Sequence, residues 1–302
     1  MLEIWIPITI AAAFFQNLRS ALQKHLKGRL SVSGAAYARF VYALPVSVLY
    51  LWLLHTVGSF SFPVPNARFF IYCLLGGISQ ILFTTFLLWM FSFRSFAVGT
   101  TFSKLEVIMV ALLGAILLGD SLNGYAIGAI VISALGVVVL GSAQANITLR
   151  SLLAGLTEKS TLIGLASAVW LGASSVFFRG ASLSLGHDQF FMAAAYTLFV
   201  SLLIQTIVMG AYIAYREPGE LTRIRVNWRW AGLVGITGAL ASIGWFTAFT
   251  LHNAGYVRAL GQIELIFTFA ATTLVFKEKV SRVEFAGIAL VAGGIGLLLL
   301  TG

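Results

Sequence analysis

Apolar residues run in long blocks along this chain, and polar residues gather in the short gaps between them. A bilayer-spanning helix needs about 20 mainly apolar residues. On that measure the blocks predict ten spans, at 2–23, 34–56, 67–92, 95–118, 121–141, 160–182, 189–215, 228–251, 255–276 and 281–301. The largest polar stretch, Arg216 to Asn227, is too small to fold alone. Asp120 and Asn123 precede the fifth span as candidate caps, and Asp188 precedes the seventh. Trp228 and Trp230 stand where an interfacial aromatic belt is expected. Gly124 and Gly128 in the fifth span, with Gly287, Gly293, Gly294 and Gly296 in the tenth, predict close helix packing. Ala11-Ala12-Ala13 mimics a signal cleavage site, but no basic region precedes it, so the first span is expected to be retained.

Composition agrees with the pattern. Of 302 residues, 59% are hydrophobic and only 10% charged, against about 25% charged in a soluble domain. No water-soluble surface can be built from that, so the fold class expected is an all-α polytopic membrane protein. The net charge of +9 comes from basic residues in short loops, which report topology rather than nucleic-acid binding. One cysteine, Cys73, lies in an apolar run, which rules out a disulfide framework. No metal spacing, nucleophile motif or phosphate loop occurs, so neither cofactor nor enzymatic activity is expected. With no soluble domain there is no room for an ATPase. Energy for transport would come from a gradient or from exchange.

A shift of 158 residues overlays the two halves without a gap. Gly77 meets Gly235, Phe91 meets Phe249, Ser103 meets Gly261, Glu106 meets Glu264, Asp120 meets Glu278 and Gly136 meets Gly294. The expected domains are therefore residues 1–145 and 146–302, each with five spans. An odd number of spans makes the second copy enter from the opposite side, giving a 5+5 inverted-topology repeat. In such architectures the site lies near the midplane and one half rocks against the other. Thirteen basic residues, Lys24, Arg29 and Arg216 among them, fall in the loops after the odd-numbered spans; only Arg68, Arg179 and Arg258 fall on the other side. The positive-inside rule makes the first side cytoplasmic and places both termini outside.

The segments Leu105-Glu106-Val107 to Leu117-Leu118-Gly119-Asp120-Ser121-Leu122, with Gly128 and Gly136, carry a family resemblance. So do Ile263-Glu264-Leu265 to Phe276-Lys277-Glu278-Lys279-Val280, with Gly287 and Gly294. With ten spans in two copies, they resemble the drug/metabolite transporter superfamily in its EamA-like branch, over essentially the whole chain. The resemblance implies a transporter fold and leaves the substrate unnamed. Many members of that branch place a proline just after the mid-helix Leu-Glu. Val107 and Leu265 stand there in this chain, so each span is expected to run unbroken past its carboxylate.

The chemistry concentrates in the fourth and ninth spans. Counted as continuous helices, they place Glu106 about 16 Å deep and Glu264 about 14 Å deep, at 1.5 Å per residue. Both values are near the middle of a core about 30 Å thick. A charge there costs roughly 2.5–3.5 kcal/mol even on the mildest insertion scale. Ser103 shares a stripe with Glu106, and Gly261 with Glu264, which leaves space beside each carboxylate. Lys104 falls on another face with Thr100, and Gln262 and Arg258 form the matching face of the ninth span. Two readings stay open. In one, the glutamates load a proton or a substrate amine, since a desolvated carboxylate ionises less readily, while Lys104 and Arg258 hold a substrate carboxylate or phosphate. In the other, the groups are ion pairs, Lys104 with Glu264 and Arg258 with Glu106.

Gln16 and Asn17 in the first span, with Ser174 and Ser175 opposite them in the repeat, are candidates to line a cavity. Arg19 lies near the span's end, where an arginine can snorkel. Trp89, Trp170 and Trp245 are deep enough to line a pocket, or to pack. His25, His55, His187 and His252 sit at loop edges and receive no role.

The expected function is secondary transport of a small polar or amphipathic metabolite by alternating access, coupled to protons, in the inner or plasma membrane. Its partners would be that substrate, protons and the bilayer, with no nucleic acid, in a monomer or loose dimer. The alternatives are a lipid flippase or scramblase, and an intramembrane enzyme using the same carboxylates. The charge bias makes one claim that needs no structure. A reporter fused after Gly302 should behave as external in a topology assay, and a cytoplasmic readout there would overturn the assigned orientation.

Overall fold

The computed structural model describes residues 3–26, 28–90, 102–144, 157–270, 273, 277 and 281–301. Phe91, Arg94, Thr100, Thr101, the 145/146 boundary, Arg150, Phe276, Glu278 and Lys279 lie outside them. The regular elements are α1 (Trp5–Gln23), α2 (Val32–Thr56), α3 (Ala67–Met90), α4 (Glu106–Leu118), α5 (Gly124–Gln144) and α6 (Lys159–Ser184). Then follow α7 (Phe190–Arg216), α8 (Glu220–Val226), α9 (Trp228–Leu251), α10 (Ala254–Gly261), α11 (Ile263–Ala270) and α12 (Arg282–Thr301). No β-strand occurs among the described residues.

Seven helices, α2, α3, α5, α6, α7, α9 and α12, are long and apolar enough to cross a membrane. The other three expected spans fall short for local reasons. The first, α1, has 19 residues but carries Gln16, Asn17, Arg19 and Gln23 on its second half. The fourth keeps only the 13 residues of α4 as an unbroken helix, and the ninth is cut into α10 and α11.

These interruptions correct the expectation of continuous helices through the carboxylates. The chain leaves helix at Lys104 and Leu105 in the first half of the sequence and at Gln262 in the second. Lys104 and Gln262 are equivalent under the 158-residue shift. At both points the ladder tightens to three-residue steps. Leu105 N–H donates to the Phe102 carbonyl (3.1 Å), and Gln262 N–H to the Ala259 carbonyl (3.2 Å). No proline is needed, because a short 3₁₀ turn breaks the register by itself.

The chain divides into two compact units, Met1–Ile81 with Phe177–His252, and Leu82–Val176 with Asn253–Gly302. Each draws on both halves of the sequence. In the first unit α1 packs on α9, and α2 packs on α7 and α9. Small residues set the approach: a Cβ on Gly244 would meet Ala12, and one on Gly235 would meet Tyr42. Phe40, Phe178, Leu198, Leu202 and Phe246 form an apolar centre, with the Phe178 and Phe246 rings 4.8 Å apart. Arg179 donates to the carbonyls of Phe249 and His252 and so closes the C-terminal end of α9. The polar stretch after α7 also has a use. Glu217 accepts from the Ser31 hydroxyl and Glu220 from the Ser31 N–H, which anchors the start of α2.

In the second unit α5 and α12 pack backbone to backbone. A Cβ on Gly136 would lie 2.7 Å from Val291 N and 2.8 Å from the Gly287 carbonyl oxygen. One on Gly294 would lie 2.8 Å from the Ala129 carbonyl oxygen and 2.9 Å from Ser133 N. The shift of 158 carries 129 to 287, 133 to 291 and 136 to 294, so the same contact occurs twice. Among the described residues, Gly124, Gly293 and Gly296 have nothing within 4 Å of that position, and Gly128 only Leu297 at 3.9 Å. The packing role expected of those four glycines belongs to Gly136, Gly287 and Gly294.

Caps differ from expectation in the same local way. Asn123 accepts from Ala126 N–H (2.7 Å) and starts α5. Asp120 instead closes α4: Gly119 takes φ +69°, and Asp120 N–H donates to the Gly114 carbonyl (3.1 Å). Asp188 does not cap α7, whose N-cap is Gln189 without a side-chain bond.

The glycine contact sets a stability prediction. Gly136→Ala and Gly294→Ala should each destabilise by about 1–3 kcal/mol through overpacking. Gly293→Ala, in open space, should be neutral or slightly stabilising. Thermal unfolding of the purified protein checks this, and equal effects at all three positions would count against the contact.

Candidate functional site

The helix breaks in the second unit bring ionisable groups from both halves of the sequence together. Arg258, on α10, reaches across to Glu106 at the first turn of α4, with Nη2 to Oε1 at 3.3 Å. Lys104, at the first break, reaches Glu264 at the first turn of α11, with Nζ to Oε1 at 3.7 Å. Each glutamate therefore opens a helical segment, where backbone N–H groups favour negative charge. Each also meets a cation from the other half of the sequence.

The two pairs differ in environment. The Arg258 and Glu106 side chains are 9% and 10% exposed, whereas those of Lys104 and Glu264 are 43% and 18% exposed. The first pair is held away from solvent, and the second is open on its lysine side. Gln262, the repeat equivalent of Lys104, is buried, and its side-chain oxygen meets no hydrogen-bond donor among the described residues. Ser103 is buried beside the first break. Asn253 accepts from Gly255 N–H (2.8 Å) to start α10, and donates to the Ser121 carbonyl (3.2 Å).

The remaining candidates fall in separate places. In the second unit Gly172 of α6 packs on Met109 and Val110 of α4, which brings the segment holding Trp170 and Ser175 alongside α4. Ser175 is buried and donates back to the Leu171 carbonyl (3.3 Å). Trp89 is 55% exposed, with its ring beside Phe86. In the first unit Trp245 Nε1 donates to Gln16 Oε1 (2.9 Å), joining α9 to α1. Asn17 is half-buried on the same helix. His252 stacks on Trp5 at 4.5 Å between ring centroids.

A residue passed over in the sequence reading is Arg39. It is a lone charge within the apolar second span, and that isolation was the available signal.

Helices of this length and composition define a polytopic α-helical membrane protein. Residues 159–300 match the sequence model of the EamA-like transporter family, which belongs to the drug/metabolite transporter superfamily. The family is one of membrane transporters, which implies small-molecule cargo and a lipid environment. No curated protein matches the chain. A solved crystal structure at 16% identity overlays on 98% of this chain and 97% of its own, with a TM-score of 0.71. At that identity the likeness shows a shared fold alone.

The exposure difference predicts unequal consequences of neutralisation. Glu106→Gln takes the carboxylate from a buried guanidinium, a change that costs roughly 3–5 kcal/mol. Glu264→Gln acts on a lysine with access to solvent and should cost about 0–1 kcal/mol. Unfolding of both variants in the same detergent measures the gap; equal losses would contradict the assigned asymmetry.

Proposed function

We propose that this protein is a secondary transporter that moves a small polar or amphipathic metabolite by alternating access, with the two ion pairs as its substrate-binding and coupling centre. The observation that carries the reading is the placement of both glutamates at helix interruptions occupying the same position in the two copies. Interrupted helices in transporters supply half-helix ends and freed backbone groups to a site at the middle of the membrane. Broken helices with paired, competing charges suit a centre that trades partners. A substrate amine can take a glutamate from its cation, and a proton can do the same.

Three features support the underlying 5+5 inverted repeat. The α5–α12 glycine contact recurs under the 158-residue shift, the helix breaks are equivalent, and each ion pair joins one copy to the other. We assign the ten spans and the repeats 1–145 and 146–302 on this basis, and cytoplasmic basic loops on the bias of the basic residues. Gln262 adds a buried amide oxygen that a substrate N–H would satisfy. Gln16, Asn17, Trp170, Ser175 and Trp245 are the secondary candidates for contact with cargo, and Trp89, which is exposed, is the weakest of the set.

Proton coupling follows from the carboxylates and is tested together with transport. The protein is reconstituted in liposomes, and uptake is screened across labelled amino acids, amines and organic acids with and without an imposed pH gradient. Wild type should show saturable flux that the gradient accelerates. Glu106→Gln and Glu264→Gln should lower it by at least about tenfold, the scale of losing one interaction worth about 1.4 kcal/mol in the rate-limiting state. Flux that ignores the gradient and survives both substitutions would exclude the glutamates as the coupling centre.

A further inference from the structure

We infer that α8 and its flanks in the first unit form a docking surface for the headgroups of anionic lipids, with Arg216, Arg223, Arg225 and Arg229 as the cations and Tyr215 and Trp228 as the anchors. The inference goes beyond the transport reading and borrows from it only the side of the membrane on which this surface lies.

The stretch that joins α7 to α9 is seated against the unit along its length. Within α8, Glu220 and Ile224 are buried four residues apart, on one stripe. The other five residues of the helix are exposed. Ile224 enters an apolar cluster with Leu26, Leu30 and Val234. Glu220 turns inward and accepts from Ser31 N–H at 2.6 Å. A side chain on Gly34 would collide with that carboxylate, so the glycine leaves room for it. Glu217 accepts from the Ser31 hydroxyl. At the far end Asn227 donates to the Arg223 carbonyl twice, from its backbone at 3.0 Å and from its side chain at 2.9 Å, and there the chain turns into α9.

This seating sorts the charges. From Tyr215 to Trp230 the chain holds two acidic residues and four arginines. Both acidic residues face Ser31. All four arginines are exposed. Arg223 pairs with Glu220 at 3.5 Å, yet its side chain remains 68% exposed. Arg29, exposed two residues before Ser31, adds a fifth cation beside the same anchor. Two of the arginines lie over exposed rings, Arg216 over Tyr215 and Arg229 over Trp228, each with Cζ 5.8 Å from the centroid. Leu221 and Val226 are exposed among them.

Position selects the partner. Arg216 ends α7 and Trp228 begins α9, and both helices are of membrane-spanning length. The surface therefore sits at the level of the headgroups, where lipid phosphates are the nearest anions. Exposed tryptophan, tyrosine and aliphatic side chains suit the boundary between headgroups and acyl chains. A guanidinium meets phosphate oxygens with paired N–H groups. The orientation assigned above puts this end on the cytoplasmic side, whose leaflet carries the anionic surface potential. Each arginine near such a surface changes affinity for it roughly fivefold. Basic residues also direct topology during insertion, but that needs charge alone, without the seating on Ser31 or the stacked rings.

Trp228 supplies the readout. The full chain is reconstituted in mixed phosphatidylcholine and phosphatidylglycerol bilayers in which one lipid or the other carries brominated acyl chains, and tryptophan fluorescence is recorded. The difference between wild type and Trp228→Phe isolates quenching at this surface. Both leaflets hold the same mixture, so the result does not depend on orientation. Brominated phosphatidylglycerol should quench this component as if enriched at least about fivefold over its bulk fraction, and high salt should weaken the enrichment. Arg225→Gln combined with Arg229→Gln should bring the two lipids to parity. Arg68→Gln, at an exposed arginine on α3, should leave the enrichment unchanged. Equal quenching by the two lipids in the wild type overturns the proposal, and so does an enrichment that survives the double substitution. A shift of Trp228 emission with soluble polyglutamate, in bilayers where phosphatidylglycerol shows no preference, would assign the surface to an acidic protein and also overturn it. Glutamate-dependent liposome flux without lipid enrichment would leave the transport reading standing.

Discussion

A charge inside a hydrocarbon environment must be compensated where it sits, because no water arrives to do so. That constraint organises the second unit. Glu106 is tolerable because Arg258 reaches it at 3.3 Å, and Glu264 because Lys104 reaches it at 3.7 Å and remains half open to solvent. The pairing needs the helices to be interrupted. A continuous helix places residues 104 and 106 about 200° apart, on different faces. A short 3₁₀ turn at each break lets the cation of one half of the sequence and the carboxylate of the other meet from opposing segments.

The same unit needs two helices to pack closely enough to hold those segments. Gly136 and Gly294 provide this by bringing backbone against backbone, with carbonyl and amide atoms inside the distance at which any side chain would fit. In the first unit the small residues Gly235 and Gly244 do similar work against Tyr42 and Ala12. Apolar transfer gives little help between helices that are both in lipid. Shape and local polar bonds, such as Trp245 to Gln16 and Arg179 to the end of α9, therefore carry the specificity.

Much of the arrangement was legible in the residue pattern. Block length and hydropathy located the seven long apolar helices to within a few residues, because the bilayer requires a minimum apolar length and every backbone group must be satisfied within the segment. The 158-residue periodicity led to the ion pairs as one of two open readings, because four charges in two apolar spans have few possible partners. The helix breaks were not legible. Proline is the usual sequence marker of an interruption, and Val107 and Leu265 gave no warning. Nor could spacing tell which glycines touch. Gly124 and Gly136 lie on one helix, and only the position of α12 separates an exposed glycine from a contact.

Arg39 shows the same limit from another side. Its isolation in the second span was visible in the string, but its neighbours at α9, Arg19 and Gly238, stand 20 positions before it and 199 after it. Sequence alone determined the class of the protein, an apolar helical chain with its rare charges at repeated positions, because burial of charge and span length are one-dimensional constraints. Tertiary structure decided which charge neutralises which. Those outcomes turn on distances of 3 to 4 Å between segments far apart in the chain, and no local pattern encodes them.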